Sequence, residues 1–424
     1  MICIYCGFEK LWLNLPTNKK FKDYKMNKFI LSAAVALALP AVAFGEIVNP
    51  DSTGFQFTDV KLVKTTPVKD QNKSGTCWCF AGNSYFEDEI LRTKGKEVDL
   101  SEMFVVRQCY LDKAIKYIRM GGTINFAQGG SGLDVPYVWK KYGAMPEEAF
   151  DGLNYGEVKH SHYEMFDVME GYLKGVLRNG NKKLSTAWLA GFEAILDAYF
   201  GKVPEKFKYK GKTYTPRTFA DEMGLNMDDY IPVTSWTHHP FYEMCPVEVA
   251  DNWLWGQFYN VKMEEMKEIV DYSLENGYSV VWAADVSEPG FKWYQGYALL
   301  PEAKSAENLD GSELSRWVQL SDKDREAEMY EITGPTKEQT VTQESRQIGF
   351  DNLETTDDHA MTIVGKAVDQ EGNPYYKVKN SWDTNQVYNG FIYASEPYFL
   401  AKTINVLVHK NAIPEEIREK LNLK

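Results

Sequence analysis

What most constrains this chain is the distance between two short motifs. Near its start, Gln71-Asn-Lys-Ser-Gly-Thr-Cys77-Trp78-Cys79-Phe80-Ala81 runs straight into a helical pattern. Trp78, Ala81, Tyr85, Phe86, Ile90 and Leu91 recur at helical spacing, and Lys94-Gly95 closes the run. Near its end, Asp357-Asp358-His359-Ala360-Met361 opens a stretch of β texture. The cysteine and the histidine lie 282 residues apart. They meet only if the fold sets the start of a helix against the start of a strand.

The rest of the pattern supports such a fold. Helices are expected over residues 101–119, Val135–Tyr142, 157–208 and Met263–Asn276. Strands are expected over Phe57–Lys64, Tyr278–Val286, Ala360–Val368, Tyr375–Asn380, Gly390–Ala394 and Ile404–His409. A short helix, Pro414–Leu421, ends the chain, and the charged stretch 301–345 reads as a surface excursion. Helices early and strands late predict an α+β fold.

The chemistry is read from residue types. A cysteine in the first turn of a helix sits at the positive end of the helix dipole, which favours the thiolate. Its backbone N–H is free to face an oxyanion, and the Gln71 amide is a second donor. His359, at a strand start, can be held beside the thiolate. Asn380, in Lys379-Asn380-Ser381-Trp382, can accept a hydrogen bond from the imidazole, and Trp382 can shield that bond from water. Asp357-Asp358 reads as a turn, or as a carboxylate that captures a substrate amine, with Asp358 the candidate.

The remaining thiols and imidazoles read more plainly. Residues i and i+2 on a helix do not face each other, so Cys77 and Cys79 are not expected to pair. The second ligand pair that a zinc site needs is missing. Cys109 and Cys245 are expected to be buried thiols. His160-x-His162 and His238-His239 are expected on surface helices and turns.

Composition narrows the classes. The chain carries 47 Lys and Arg against 60 Asp and Glu, a formal charge of −13. Nucleic-acid binders neutralise phosphates with clustered cations, so that class is excluded. Residues 1–45 stand apart. Met26-Asn27-Lys28, the apolar run Phe29–Val42 and Ala43-Phe44-Gly45 have the grammar of a secretory signal peptide. Residues 1–25 read as an upstream extension, 26–45 as the signal, and 46–424 as one domain. An insertion at about 157–208 and a tail at about 411–424 belong to it. Residues 1–45 hold six lysines and two acids, so without them the charge falls to −17. The mature protein is expected to be periplasmic or secreted, with no stable membrane insertion after cleavage.

In the order Gln71, Cys77, His359, Asn380, these motifs resemble the papain superfamily of cysteine peptidases. Ser74 stands where the local signature of that group has its first cysteine. This and the long Cys77–His359 separation resemble the bleomycin hydrolase and bacterial aminopeptidase C branch. Leu100-Ser-Glu102 precedes a helix, as in papain-like enzymes. Tyr214-Thr-Pro-Arg-Thr-Phe, His239-Pro-Phe-Tyr242, Asp251-Asn-Trp253, Tyr259-Asn260-Val261, Trp282-Ala-Ala-Asp285-Val286, Arg346-Gln347 and Tyr393–Tyr398 are similar to landmarks of that branch. The resemblance implies a two-lobed fold, a helical lobe plus an antiparallel β-barrel-like lobe with large helical insertions. It implies peptide substrates, no cofactor, and a homo-hexamer. It also implies that Gly129 and Gly130 pair with the substrate backbone. It points to an aminopeptidase in which the chain's own C-terminus enters the cleft. The tail here looks short, which leaves an endopeptidase as the alternative, ahead of a Cys–His acyltransferase. Where the branch has Asn-Ser-Trp-Gly, Asp383 replaces the glycine and places a carboxylate near the His359/Asn380 edge, expected either to raise the imidazole pKa or to affect leaving-group contacts.

Overall fold

The computed structural model describes residues 47–48, 54–302 and 311–423. The leader and residues 1–25 lie outside them. So do part of the stretch 301–345 and the last residue.

The first half is helical. After β1 (Ile47–Val48) and β2 (Phe57–Leu62) come α1 (Cys77–Lys94), α2 (Glu102–Arg119), α3 (Asp134–Tyr142), α4 (Tyr163–Leu177) and α5 (Ala187–Phe200). A hairpin, β3 (Phe207–Tyr209) and β4 (Lys212–Tyr214), and α6 (Pro216–Met223) complete it. Local chemistry sets the ends. Gly95 stops α1 at φ 63°, and the Ser101 side chain accepts from the Phe104 N–H to start α2. α4 and α5 lie within the helical stretch expected over 157–208 and bury Met169, Leu173, Phe192 and Leu196 against α2.

The second half is a sheet. β5 (Tyr230–Thr234), β6 (Met244–Pro246), β7 (Gln257–Asn260), α7 (Met263–Glu275), β8 (Val280–Ala284), β9 (Phe291–Lys292) and β10 (Tyr297–Ala298) come first. Then follow α8 (Gly311–Trp317), α9 (Asp322–Met329), α10 (Gln343–Asp351), β11 (His359–Val368), β12 (Pro374–Lys379) and β13 (Phe391–Ser395). Last are α11 (Glu396–Lys402), β14 (Thr403–His409) and α12 (Glu415–Lys420). The strand order is β6-β7-β5-β14-β8-β11-β12-β13-β10-β9, with β2 also on β11. This path is open rather than barrel-like, and β5–β7 and β10–β13 pair in parallel.

α1 binds the halves together. It is buried continuously from Trp78 to Ile90, and its core cluster includes Val281, Ala360 and Leu407 from β8, β11 and β14. A helix buried all round must satisfy its polar groups internally. Thr362 Oγ1 donates to the Ala81 carbonyl at 3.2 Å, tying β11 to α1. Lys69 Nζ lies 2.8 Å from both Glu87 and Glu102, and Thr66 donates to Glu87 and Asp88.

Candidate active site

The first residue of α1 and the first residue of β11 meet at the junction of the halves. Cys77 is the first helical residue of α1, and no hydrogen bond from its N–H is made within the described chain. That is the orphan donor expected at a helix start. Cys77 is half-buried, whereas Cys79, Cys109 and Cys245 are buried and unpaired as disulfides. Cys79 Sγ is occupied at 3.3 Å from the Glu102 carbonyl.

Sheet register delivers the other two groups. In the β11–β12 ladder Thr362 faces Lys379, so the chain leaving β12 turns Asn380 back toward His359. His359 Nε2 and Asn380 Oδ1 are 2.7 Å apart. Asn380 Oδ1 also accepts from the Ser381 N–H at 2.7 Å, which fixes the amide orientation. The imidazole therefore donates from Nε2 and keeps the Nδ1 lone pair for proton transfer. Trp382 stacks on His359 with centroids 4.5 Å apart, braced edge-on by Trp293 at 5.3 Å.

Gln71 is oriented just as firmly. Its Nε2 donates to the Ser74 carbonyl at 2.7 Å, and its Oε1 accepts from Ser381 Oγ at 2.7 Å. A carbonyl only accepts, so the NH2 end must face Ser74, which leaves its second hydrogen to spare. The Gln71 N–H bonds to the Ser381 carbonyl at 2.9 Å, so one strut carries both the amide donor and the imidazole's partner.

Burial acts on the thiol and the imidazole in opposite senses. It pushes the Cys77 thiol up to about 12, and Asp357 and Asp251 push the same way, while backbone bonds at Ala360 and Trp78 oppose. It pushes His359 down to about 4, against the Asn380 bond and Asp358. Burial is thus the largest influence on the thiol, set against the helix start that favours a thiolate. It disfavours either charge on its own. Proton transfer between them creates both charges at once, each offsetting the other's lost hydration.

The other expected residues fall into place unevenly. Trp78 Nε1 donates to the Gln128 carbonyl, and Gly75 N–H to Gln128 Oε1, so the loop before Gly129 is pinned to the start of α1. Gly130 lines the cavity beside Cys77 with Gly132, Asp251, Asp357, His359 and Asn405. A Cβ on Gly130 would meet Asp134 at 2.5 Å and the Trp78 ring at 2.9 Å. Asp358 has its oxygens occupied by Val286 N–H, Ser287 N–H and Thr356 Oγ1, so this carboxylate braces the turn. Its neighbour Asp357 is the acid that acts on Cys77.

Asp383 is also corrected. It stands at φ 68°, where glycine is favoured, and its exposed carboxylate accepts from Thr384 N–H and Lys159 rather than acting on His359. His160 and His162 are buried rather than on the surface, stacked edge-on near Phe80 and Phe200. Sequence reading missed Asp251 as a cleft residue. Its signal is only a contact, a carboxylate lying where a Cβ on Gly129 would be, 1.8 Å away.

Two further features bear on what the site can hold. Residues 411–423 do not line the cavity. Ile413, Ile417 and Leu421 pack in the core against α7, and Lys420 pairs with Glu265 at 2.6 Å. His238, His239 and Glu248 bring ligand-type atoms within 4.8 Å of one another. Gln347 Nε2 donates to His238 Nδ1, so the neutral ring carries its proton on Nε2, facing Glu248. That cluster is satisfied by its own hydrogen bonds.

Comparison with known proteins matches both ends of this arrangement. Residues 54–166, which carry Gln71 and Cys77, match the papain family cysteine protease profile. Residues 311–424, which carry His359 and Asn380, match the peptidase C1-like family. Aminopeptidase C of Listeria monocytogenes is 22% identical, covering 85% of this chain and 84% of that protein. Bleomycin hydrolase of Rattus norvegicus is 22% identical, covering 83% and 82%. The crystal structure of PepW from Lactobacillus rhamnosis shares the fold at a TM-score of 0.65, with 20% identity over 86% of this chain and 84% of that one. With family matches on the helix-start cysteine and on the strand-start histidine alike, the chain is a cysteine-type peptidase of papain-like fold, similar along most of its length to aminopeptidase C and bleomycin hydrolase.

Proposed function

We propose that this enzyme hydrolyses peptides through Cys77, His359 and Asn380. The observation that carries this reading is the 2.7 Å bond between His359 Nε2 and Asn380 Oδ1 under Trp382, beside a helix-start thiol. Cys77 Sγ attacks the scissile carbonyl carbon as His359 Nδ1 takes the thiol proton. The oxyanion is met by the Cys77 N–H and the spare hydrogen of Gln71 Nε2. His359 returns the proton to the leaving amine, then draws one from water as hydroxide attacks the thioester. Asn380 keeps the ring in one tautomer throughout.

Within this class we read the enzyme as an aminopeptidase. The Listeria monocytogenes relative is named for that activity, and Asp251 narrows the cleft beside Gly129. An endopeptidase is the second reading, favoured by the placement of residues 411–423 on α7. Cys77→Ala is expected to lose turnover and iodoacetamide labelling at that position together. His359→Ala is expected to lower kcat by about 10²–10⁴-fold. Full turnover by Cys77→Ala would sink the mechanism. A tripeptide with a free N-terminus and its Nα-acetyl twin separate the two readings, since an endopeptidase cleaves both.

Export belongs to the same proposal, supported by the signal grammar of residues 26–45. The intact mass of protein recovered outside the cytoplasm should place the first residue at Glu46 or Phe44. The homo-hexamer implied by the resemblance is read directly by light scattering.

A further inference from the structure

The cavity beside Cys77 holds charges that peptide hydrolysis does not use. Attack on a peptide carbonyl leaves a carbon with four directions. One is the bond to Cys77 Sγ. The oxyanion points to the Cys77 N–H and Gln71, and the leaving nitrogen points to His359 under Trp382. The fourth direction, toward the acyl residue's Cα and nitrogen, falls to the small cavity at Cys77, because Gln71, Ser381 and Trp382 do not line it.

That cavity is lined by three carboxylates, Asp251, Asp357 and Asp358, with no Lys or Arg among its lining residues. Asp358 is taken up by Val286, Ser287 and Thr356, which leaves Asp251 and Asp357 for a ligand. Asn125 Nδ2 holds Asp251 Oδ1 at 3.3 Å, while Asp251 Oδ2 lies over Gly129 in the space a side chain there would need. The loop behind it is rigid. Asn252 bonds to the Val247 and Gly256 carbonyls and accepts from the Gly256 N–H, and Trp253 Nε1 donates to Asp134 at 2.6 Å. Asp357 makes no hydrogen bond or ion pair within the described chain. Lys113 is the cation that tempers Asp251, but its Nζ is occupied by the Ala127 and Gly129 carbonyls. Burial and the repulsion of Asp251 and Asp358 push the Asp357 carboxyl up to about 7, and a bound cation relieves that repulsion.

Building on the peptidase reading above, we propose that Asp251 and Asp357 form the subsite for the free α-ammonium of a peptide's first residue, making them the residues that restrict cleavage to N-termini. An ammonium there sits one Cα from the carbonyl under attack. It also offsets the two charges that oppose a thiolate at Cys77, so the correct substrate eases formation of its own nucleophile. A peptide continuing past that point would have to displace Asp251 from Gly129.

The test uses the full chain carrying Cys77→Ala, where no chemistry occurs. Calorimetric titration compares a free-amine tripeptide with its Nα-acetyl twin. Acetylation is expected to weaken binding by about tenfold or more. Adding Asp251→Asn or Asp357→Asn should erase most of that difference by weakening only the free-amine peptide. Asp251→Glu or Asp357→Glu, keeping the charge, should restore part of it. The proposal is overturned if the acetyl twin binds as tightly, if the preference survives both carboxamide variants, or if both peptides lose affinity together. Because the titration needs no turnover, an inert Cys77 enzyme would defeat the peptidase reading and leave this outcome to be judged separately.

Discussion

At the scale of single residues, the site depends on which charges exist together. A lone thiolate at Cys77 faces burial and two carboxylates, and a lone imidazolium at His359 faces burial. His359→Ala separates these effects. Without the imidazole, Cys77 titrates as an isolated buried thiol whose ionisation is pushed up to about 12. Its alkylation by iodoacetamide should be slow near neutral pH and keep climbing into strongly alkaline solution. The wild-type pair should instead react across the neutral range, because the proton has somewhere to go. Equal pH–rate profiles for the two proteins would show that the pair does not form. Asp383 gives a backbone case. At φ 68° an aspartate is tolerated and a glycine is relaxed, whereas an alanine has neither local hydrogen bonds nor glycine's freedom. Asp383→Ala should therefore unfold at lower urea than Asp383→Gly, by about 1 kcal/mol.

At the scale of elements, the approach to α1 is held by a buried ion cluster. Lys69 Nζ meets Glu87, Glu102 and Asp99, and also the Leu100 carbonyl at 3.2 Å. Glu87 and Glu102 are almost fully buried, and Lys69 is the ammonium in direct contact with both. Burial already pushes Glu102 up to about 7 with Lys69 present. Lys69→Met leaves buried carboxylates without their cation and should cost about 3–5 kcal/mol in urea unfolding. The sign with pH follows. Carboxyls whose folded pKa is raised keep their stability below the ordinary glutamate range and lose it as pH rises through the folded value. The deficit of Lys69→Met should thus be larger in mildly alkaline than in mildly acidic buffer. A pH-independent deficit would assign it to lost packing of the lysine stem. Two residues further on stands Gln71, so the variant should also lower kcat more than it raises KM.

At the scale of the molecule, legibility in the sequence follows how locally each feature is determined. α1, α2, α7, β8 and β11 to β14 were readable because their apolar period and turn residues are local. The quartet of Gln71, Cys77, His359 and Asn380 was readable because each sits in a short motif. β5 was not: Tyr230–Thr234 is buried throughout, so it shows no alternation, and Pro232 interrupts it. It is a strand because β14 and β7 flank it across the sheet. The seat of Asp251 over Gly129 and the burial of His162 under Phe200 are contacts between distant segments, which no period announces. The same distinction bears on unfolding. The helical core and the sheet each have a dense cluster, which suggests two transitions. α1 argues for one, because the cluster around Trp78, Tyr85 and Phe86 takes in Val281, Ala360 and Leu407 from the central strands. The sheet cannot open along β11 without exposing the buried face of α1, nor α1 leave without stripping Ala360 and Leu407. Tryptophan fluorescence reports both halves, through Trp78 and Trp139 on one side and Trp236 and Trp282 on the other. Its urea transition should coincide with that of far-ultraviolet circular dichroism, in one step. Two resolved steps, or probes that disagree, would mean that α1 belongs energetically to the helical half alone and that the cleft at Cys77 opens before the enzyme unfolds.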